Sequence, residues 1–194
     1  AVAVIVRPLS DNSFFTMREL KDVLTGKFRK NLVPVFDGVK ATGTVRFIVD
    51  SVLRGDSLAS VVKGVRGSEQ VVEYVANTPN AIGFVGISWV GNREDTMQSG
   101  FLKKIKLAMI ESSDSAKEFI LPVQANIYYQ RYPMVRDLVC IVKQSANMEN
   151  RAVKFANFMA EQRGQLIFRR AYLKPVQMPF MIRNVRLNEV TDKN

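Results

Sequence analysis

The chain has 194 residues, of which 47% are hydrophobic and 24% charged, and a formal net charge of +10. That composition fits one or two globular domains with a real core, and the positive balance favours acidic partners: nucleic acid, an anionic membrane surface or a small anion. The absence of histidine excludes Ser-His-Asp and Cys-His catalysis and every histidine metal site within the chain, and the single cysteine, Cys140, excludes an internal disulfide.

Ala1-Val-Ala-Val-Ile-Val6 is a continuous apolar run rich in β-branched residues, which predicts a strand buried on both faces in a mainly parallel sheet. It is too short for the core of a signal peptide, and no other apolar run reaches the length of a bilayer span. Thr16-Met-Arg-Glu19 is a capping box, followed by Met17, Leu20 and Leu24 on one helical face and a stop at Gly26. Val33 to Phe36 reads as a short strand. A helix starting near Gly43 carries Val45, Ile48, Val49 and Val52 on one side and ends at Gly55. Asp56 to Gly67 reads as a connection, Ser68 to Ala76 as a capped helix, and Ala81 to Gly86 as the next strand. Asn92 to Gly100 reads as a polar loop, Lys104 to Ile110 as a strand, and Glu111 to Lys117 as a polar turn. Lys103, Lys104 and Lys106 then fall on the solvated face of an alternating strand.

Tyr128 to Pro133 marks a composition shift that suits a linker or hinge. Beyond it, Asp137 to Lys143 reads as a second core strand with Cys140 as a small buried hydrophobe. Asn150 to Glu161 reads as a helix with Ala152, Phe155, Ala156 and Met159 on one face, and a second short helix follows Gly164 with Leu166, Ile167 and Ala171. The remainder, with Pro175, Pro179, Ile182, Val185 and Leu187, reads as irregular or edge-like. Alternating helices and strands place the chain in the α/β class.

The stretch from Val33 to Phe47 carries the chemistry. A buried strand, a turn of small residues and a helix start meet there, and the amides of a first helical turn have no partner inside the helix while the peptide dipoles add partial positive charge. Thr42 and Thr44 add hydroxyls, Gly43 permits close approach, and Lys40 and Arg46 add charge. Two readings are open: an anion seat, or an ordinary threonine N-cap beside a glycine that eases a turn. Asp37 fits either orientation of the loop by capping its amides or simple turn formation. Trp89 reads first as packing and only second as a cleft lining, and Tyr128, Tyr129 and Arg136 read as hinge packing that would touch ligand only in a closed cleft.

Taken in order, several segments resemble the phosphate-binding proteins of ABC transporters, members of the type II periplasmic binding protein superfamily. They are Thr16-Met-Arg-Glu-Leu-Lys-Asp-Val-Leu-Thr-Gly26, Ala41-Thr-Gly-Thr44, Gly67-Ser-Glu-Gln-Val-Val72, Thr78-Pro-Asn-Ala-Ile-Gly-Phe-Val-Gly86 and Tyr132-Pro-Met-Val-Arg136, with Gly164-Gln-Leu-Ile167 and Leu173-Lys-Pro175 extending the match. The resemblance implies two α/β lobes joined by two crossovers, with an anion held between them and passed to a membrane permease. It divides the chain into a crossover strand (1–8), a complete second lobe (9–130), and a return crossover with the C-terminal part of the first lobe (131–194). The N-terminal part of that first lobe has no counterpart in this sequence. Thr42, Gly43 and Thr44 match the family's hydroxyl-Gly-Thr phosphate loop, with threonine where serine is usual. Gly38 stands where many relatives carry an arginine, which Lys40 or Arg46 would have to replace. The resemblance also implies a location outside the cytoplasmic membrane, periplasmic or lipid-anchored in the cell envelope.

These readings give a binding protein for phosphate or a similar oxyanion, with no cofactor, no metal and no catalysis, as the expected function. The alternative is a basic domain with a structural or interaction role, self-associating or meeting a complementing chain through its incomplete lobe, or binding polyanions without specificity. No nucleic-acid recognition motif is present, so nucleic acid is not the expected partner. No set of Asp, Glu, Ser and Lys stands at a spacing that suggests an enzyme.

Overall fold

The computed structural model describes residues 1–28, 31–38, 42–143 and 150–176. In chain order its first elements are β1 (Val2–Val6), β2 (Phe14–Phe15), α1 (Met17–Leu24), β3 (Val33–Phe36) and α2 (Gly43–Phe47), which continues as a π-helical turn, Ile48–Leu53. Next come β4 (Lys63–Gly64), α3 (Gly67–Asn77), β5 (Ala81–Gly86), a 3-10 turn at Ile87–Trp89 and α4 (Thr96–Lys104). The last are β6 (Lys106–Leu107), β7 (Met109–Glu111), β8 (Phe119–Ile120), α5 (Gln124–Tyr128), α6 (Arg151–Ala160) and α7 (Gln162–Arg170).

The main sheet has the order β4-β3-β5-β1-β6, and a smaller one has the order β2-β7-β8. β1 is buried at every position, because five apolar residues in a row leave no polar side for water. β3 is parallel to β4 and β5, yet β1 is antiparallel to both β5 and β6. The sheet is therefore mixed, not mainly parallel as the opening run predicts. A strand covered on both faces reads as the same apolar run whichever way its neighbours point. Phe36 and Phe84, opposite each other in the β3–β5 register, stack with centroids 4.7 Å apart and planes 9° from parallel.

Helices cover the sheet where the apolar periodicity places them. Thr16 caps α1 in a full capping box, its Oγ1 accepting from the Glu19 amide at 3.1 Å while its own amide donates to Glu19 Oε2 at 2.8 Å. α3 lays Val71, Val72 and Val75 against β5, and Gly83 makes the approach possible. A Cβ there would stand 2.7 Å from Ile5 Cγ1 and 2.8 Å from methyls of both Val71 and Val75. Ser68 lies inside α3 and does not cap it. The Arg66 amide instead donates to Gln70 Oε1 at 3.0 Å.

The region from Asn92 to Ile110 departs most from the sequence reading. Most of the expected loop is a helix, α4, opened by Asp95, whose Oδ1 accepts from the Gln98 amide at 2.9 Å, while the expected strand is present as the two short strands β6 and β7. Phe101 is its one buried apolar side chain, with Leu102 partly buried beside it, so hydrophobic periodicity had little to register. Lys103 and Lys104 sit in its last turn, where they complement the negative end of the helix dipole, and Lys104 pairs with Glu73. Of the expected strand lysines, Lys106 alone is in a strand, donating to Ser13 Oγ at 3.1 Å. The short β4, β8 and α5 were also not foreseen, being too brief to show a period.

The C-terminal third differs again. Asp137 to Lys143 is not a core strand, and it forms no ladder among the described residues. Leu138, Val139 and Ile141 are 70%, 72% and 91% exposed, and Cys140 is exposed rather than buried. The apolar alternation needs strands on either side to become a core, and no described strand pairs with it. α6 forms as expected, capped by Asn150, but buries none of its residues. α7 begins at Gln162, so Gly164 is inside it and allows the close crossing over α6, where a Cβ would meet Phe158 O at 2.3 Å. Ile182, Val185 and Leu187 lie outside the described residues.

Candidate functional site

β3 delivers Asp37 and Gly38 to the edge of the core, and Thr42 then opens α2. Lys40 lies outside the described residues. Thr42 has extended backbone angles (φ −77°, ψ 152°), its Oγ1 accepts from the Val45 amide at 3.3 Å, and its carbonyl accepts from the Arg46 amide at 3.0 Å. The threonine is thus an N-cap. The cap uses the hydroxyl as acceptor only, so its proton remains available to a ligand.

Two amides in the first turn, those of Gly43 and Thr44, have no protein acceptor among the described residues. Thr44 is 3% exposed, and its hydroxyl also has no protein hydrogen bond among them. Because α2 runs without a break into the π turn, the peptide dipoles of both segments add positive potential at this end. Arg46 is exposed and forms no ion pair among the described residues. Asp37 caps no amide among them: its Oδ1 is buried without a hydrogen-bond partner.

The sequence reading favoured hinge packing for Arg136, with ligand contact only in a closed cleft, and its guanidinium lies against this corner. A Cβ on Gly43 would stand 2.7 Å from Arg136 Nη1, 3.1 Å from Nη2 and 3.2 Å from Cζ. The segment that brings it there is firmly held. Arg131 pairs with Asp114 Oδ2 at 3.0 Å and Glu118 Oε2 at 2.7 Å, and a hydrogen bond from Ser112, followed by that from Arg131, holds the Asp114 carboxyl below the usual carboxylate range. Tyr132 donates from its hydroxyl to Val2 O at 3.0 Å, and the Val2 amide donates to Met134 O at 2.9 Å. A cavity of about 400 Å³ opens between this segment and the π turn, bordered by Phe47, Ser51, Ser113, Gln130 and Arg136. The sequence signal for Arg136 was its place after Tyr132-Pro-Met-Val, but nothing in a linear reading shows that this extended stretch returns to the start of α2.

Tyr132 gives a pH prediction. It is 1% exposed, and burial pushes its phenol well above the usual value, partly offset by the nearby Val4 backbone. A raised folded pKa means its contribution is fully present below the unfolded pKa of about 10 and lost as pH rises toward the folded value, at about 1.4 kcal/mol per pH unit. Urea unfolding at pH 9 and pH 11 is expected to show that loss for wild type beyond any shared decline, and not for Tyr132→Phe, which instead is weaker by about 1 kcal/mol at pH 9 through the lost hydrogen bond.

The other aromatic candidates stand apart from this corner's contacts. Trp89, 36% exposed, ends the 3-10 turn after β5. Tyr128 and Tyr129 meet edge to face at 5.1 Å, and Lys174 stands over the Tyr128 ring at 5.0 Å. No group of three or more His, Cys, Asp or Glu among the described residues is placed to hold a metal ion.

A family model described as the PBP superfamily domain matches residues 1–163. Among solved structures, the chain is similar to a Clostridium perfringens protein described as a phosphate ABC transporter substrate-binding protein with bound phosphate, at a TM-score of 0.70 and 19% identity over 91% of this chain and 68% of that one. It is similar to PstS from Borrelia burgdorferi, at a TM-score of 0.64 and 18% identity over 92% of this chain and 70% of that one. It is also similar to an ABC-type phosphate transport receptor from Vibrio cholerae, at a TM-score of 0.61 and 16% identity over 90% of this chain and 69% of that one. A comparison with curated proteins finds no match. At these identities the solved structures speak for the architecture, and with the family match over most of its length the chain belongs to the PBP superfamily, in the type II periplasmic binding protein fold.

Proposed function

We propose that this chain is the substrate-binding component of a phosphate ABC transporter, capturing the anion without covalent chemistry at the corner made by Thr42, Gly43 and Thr44, with Lys40 and Arg46 adding positive charge. The observation that carries the reading is the pair of amides at Gly43 and Thr44 with no protein acceptor among the described residues, beside a Thr44 hydroxyl that also lacks a protein partner among them. Such donors gain most from an acceptor that takes several hydrogen bonds together, which a tetrahedral oxyanion does. The Clostridium perfringens neighbour holds phosphate and the Vibrio cholerae neighbour is a phosphate transport receptor, which favours phosphate among the oxyanions.

In this reading residues 9–130 form one lobe, residues 131–194 contribute to the other, and the cleft between them closes on the anion. The protein works outside the cytoplasmic membrane, periplasmic or tethered to it by a lipid, and hands its cargo to a permease. No described helix is long and apolar enough to cross a membrane. The exposed Leu138, Val139, Ile141 and Phe155 support association at this end with a covering segment or a second copy.

Calorimetric titration of the full-length protein with phosphate tests the reading, with arsenate and sulfate as comparison. Saturable binding of phosphate at one site per chain is expected, with arsenate following it more closely than sulfate. An absence of binding heat and of thermal stabilisation with all three anions overturns it.

A further inference from the structure

We propose that Arg136 is a further ligand of the anion, a guanidinium supplied to the Thr42–Thr44 corner by the segment that follows Tyr132. The inference rests on the reading of that corner as the anion seat and adds the residue that sets its charge preference. Three observations on different elements support it. The guanidinium lies against Gly43, close enough that a Cβ would stand 2.7 Å from Nη1. Among the described residues it has no carboxylate partner and no hydrogen bond, whereas Arg131, five residues earlier on the same segment, is held by two carboxylates. It also sits at the positive end of a helix dipole, against Gly43, whose chain neighbour Thr44 has a hydroxyl with no protein partner among the described residues.

A cation at the positive end of a helix is disfavoured in isolation. An oxyanion between the two reverses the sign of both interactions, accepting from the Gly43 and Thr44 amides on one side and from the planar fork of the guanidinium on the other. The backbone on either side of Pro133 is fixed to β1 through Tyr132 and Met134, so the exposed Arg136 side chain departs from a held segment. Gly43 is the residue type this contact needs, since any side chain there would occupy the place of the guanidinium.

The test is phosphate titration by calorimetry on the full-length protein, comparing wild type, Arg136→Gln, Arg136→Lys and the double variant Thr42→Val with Thr44→Val. Arg136→Gln is expected to weaken phosphate binding about 10- to 100-fold, the effect of one charge-assisted contact. Arg136→Lys, which keeps the charge and loses the fork, is expected to fall between wild type and Gln. Thermal stability without phosphate is expected to be unchanged or slightly higher in Arg136→Gln, an outcome that a packing role would not give. Phosphate affinity of Arg136→Gln within threefold of wild type overturns the inference. If the double threonine variant loses binding in that case, the anion seat stands without Arg136. Should the threonine variant bind normally, or wild type not bind at all, the seat itself is misplaced and the inference falls with it.

Discussion

Replacing Thr42 and Thr44 together by valine is expected to remove phosphate-induced stabilisation of the full-length protein while its unliganded fold persists. Thr44 is 3% exposed and its hydroxyl has no protein partner among the described residues, so valine fills the same volume and leaves no protein donor or acceptor orphaned. Thr42 is different, because its Oγ1 accepts from the Val45 amide; losing that cap costs about 0.5–2 kcal/mol and lowers the unliganded melting temperature by a few degrees. Against this, two hydroxyl donors to a charged acceptor are worth about 1.5–3 kcal/mol each, so affinity is expected to fall by roughly two to four decades. A ligand at 100 times its Kd stabilises the wild type by about 2.7 kcal/mol, and that increment is expected to vanish in the variant. Circular dichroism melts with and without phosphate check both halves. A variant that keeps the wild-type phosphate increment removes these hydroxyls from the site.

The contrast between that corner and the rest of the chain shows what a linear reading can and cannot reach. Thr16 with Glu19, the run from Val2 to Val6, and the helix start at Gly43 were legible because each depends on neighbours within one or two turns. Val45, Ile48 and Val52 are buried as their spacing predicts, although the π turn from Ile48 widens the helix and also turns Leu53 inward. The antiparallel placement of β1 was not legible, since strand direction depends on connections formed elsewhere in the chain. Leu138 to Ile141 carries the pattern of a core strand, but burial needs covering elements that the described residues do not place there. In the candidate site the same division holds. Thr42, Gly43 and Thr44 are contiguous and announce themselves, whereas Arg136 reaches Gly43 across the fold and is found only by its contact.

That division has an electrostatic side. The net charge of +10 pointed to an acidic partner without saying where it binds, and the basic residues are spread along the whole chain. Several of them are already committed: Lys21 to Asp56 at 2.8 Å, Lys104 to Glu73, and Arg131 to Asp114 and Glu118. Arg46 and Arg136 have no ion pair among the described residues, and both belong to the surroundings of α2. Arg7, Arg18 and Arg54 are likewise without an ion pair among the described residues, so what distinguishes Arg46 and Arg136 is their place beside the free amides, where their charge adds to the helix dipole.

Phe84→Ala is expected to produce the largest loss of stability while leaving the chemistry of the anion corner in place. Phe84 is fully buried in β5, stacked on Phe36 of β3 at 4.7 Å, so alanine forfeits both the transfer energy of the ring and the packing of its partner. Substitutions of this kind cost about 3–5 kcal/mol, which for a chain of this size lowers the melting temperature by roughly 6–20 °C. The cavity would open between β3 and β5, and the substitution leaves Gly43, Thr44 and Arg136 themselves unchanged. Phosphate at a fixed multiple of Kd is then expected to add the same stabilisation to the variant as to wild type, because that increment depends only on binding to the folded form. The double threonine variant and this one should thus behave in opposite ways: one loses the ligand increment and keeps most of its stability, the other loses stability and keeps the increment. Should Phe84→Ala abolish the increment at temperatures where it remains folded, the donors at Gly43 and Thr44 depend on the Phe36–Phe84 stack for their position, and the corner is not the preformed seat described above.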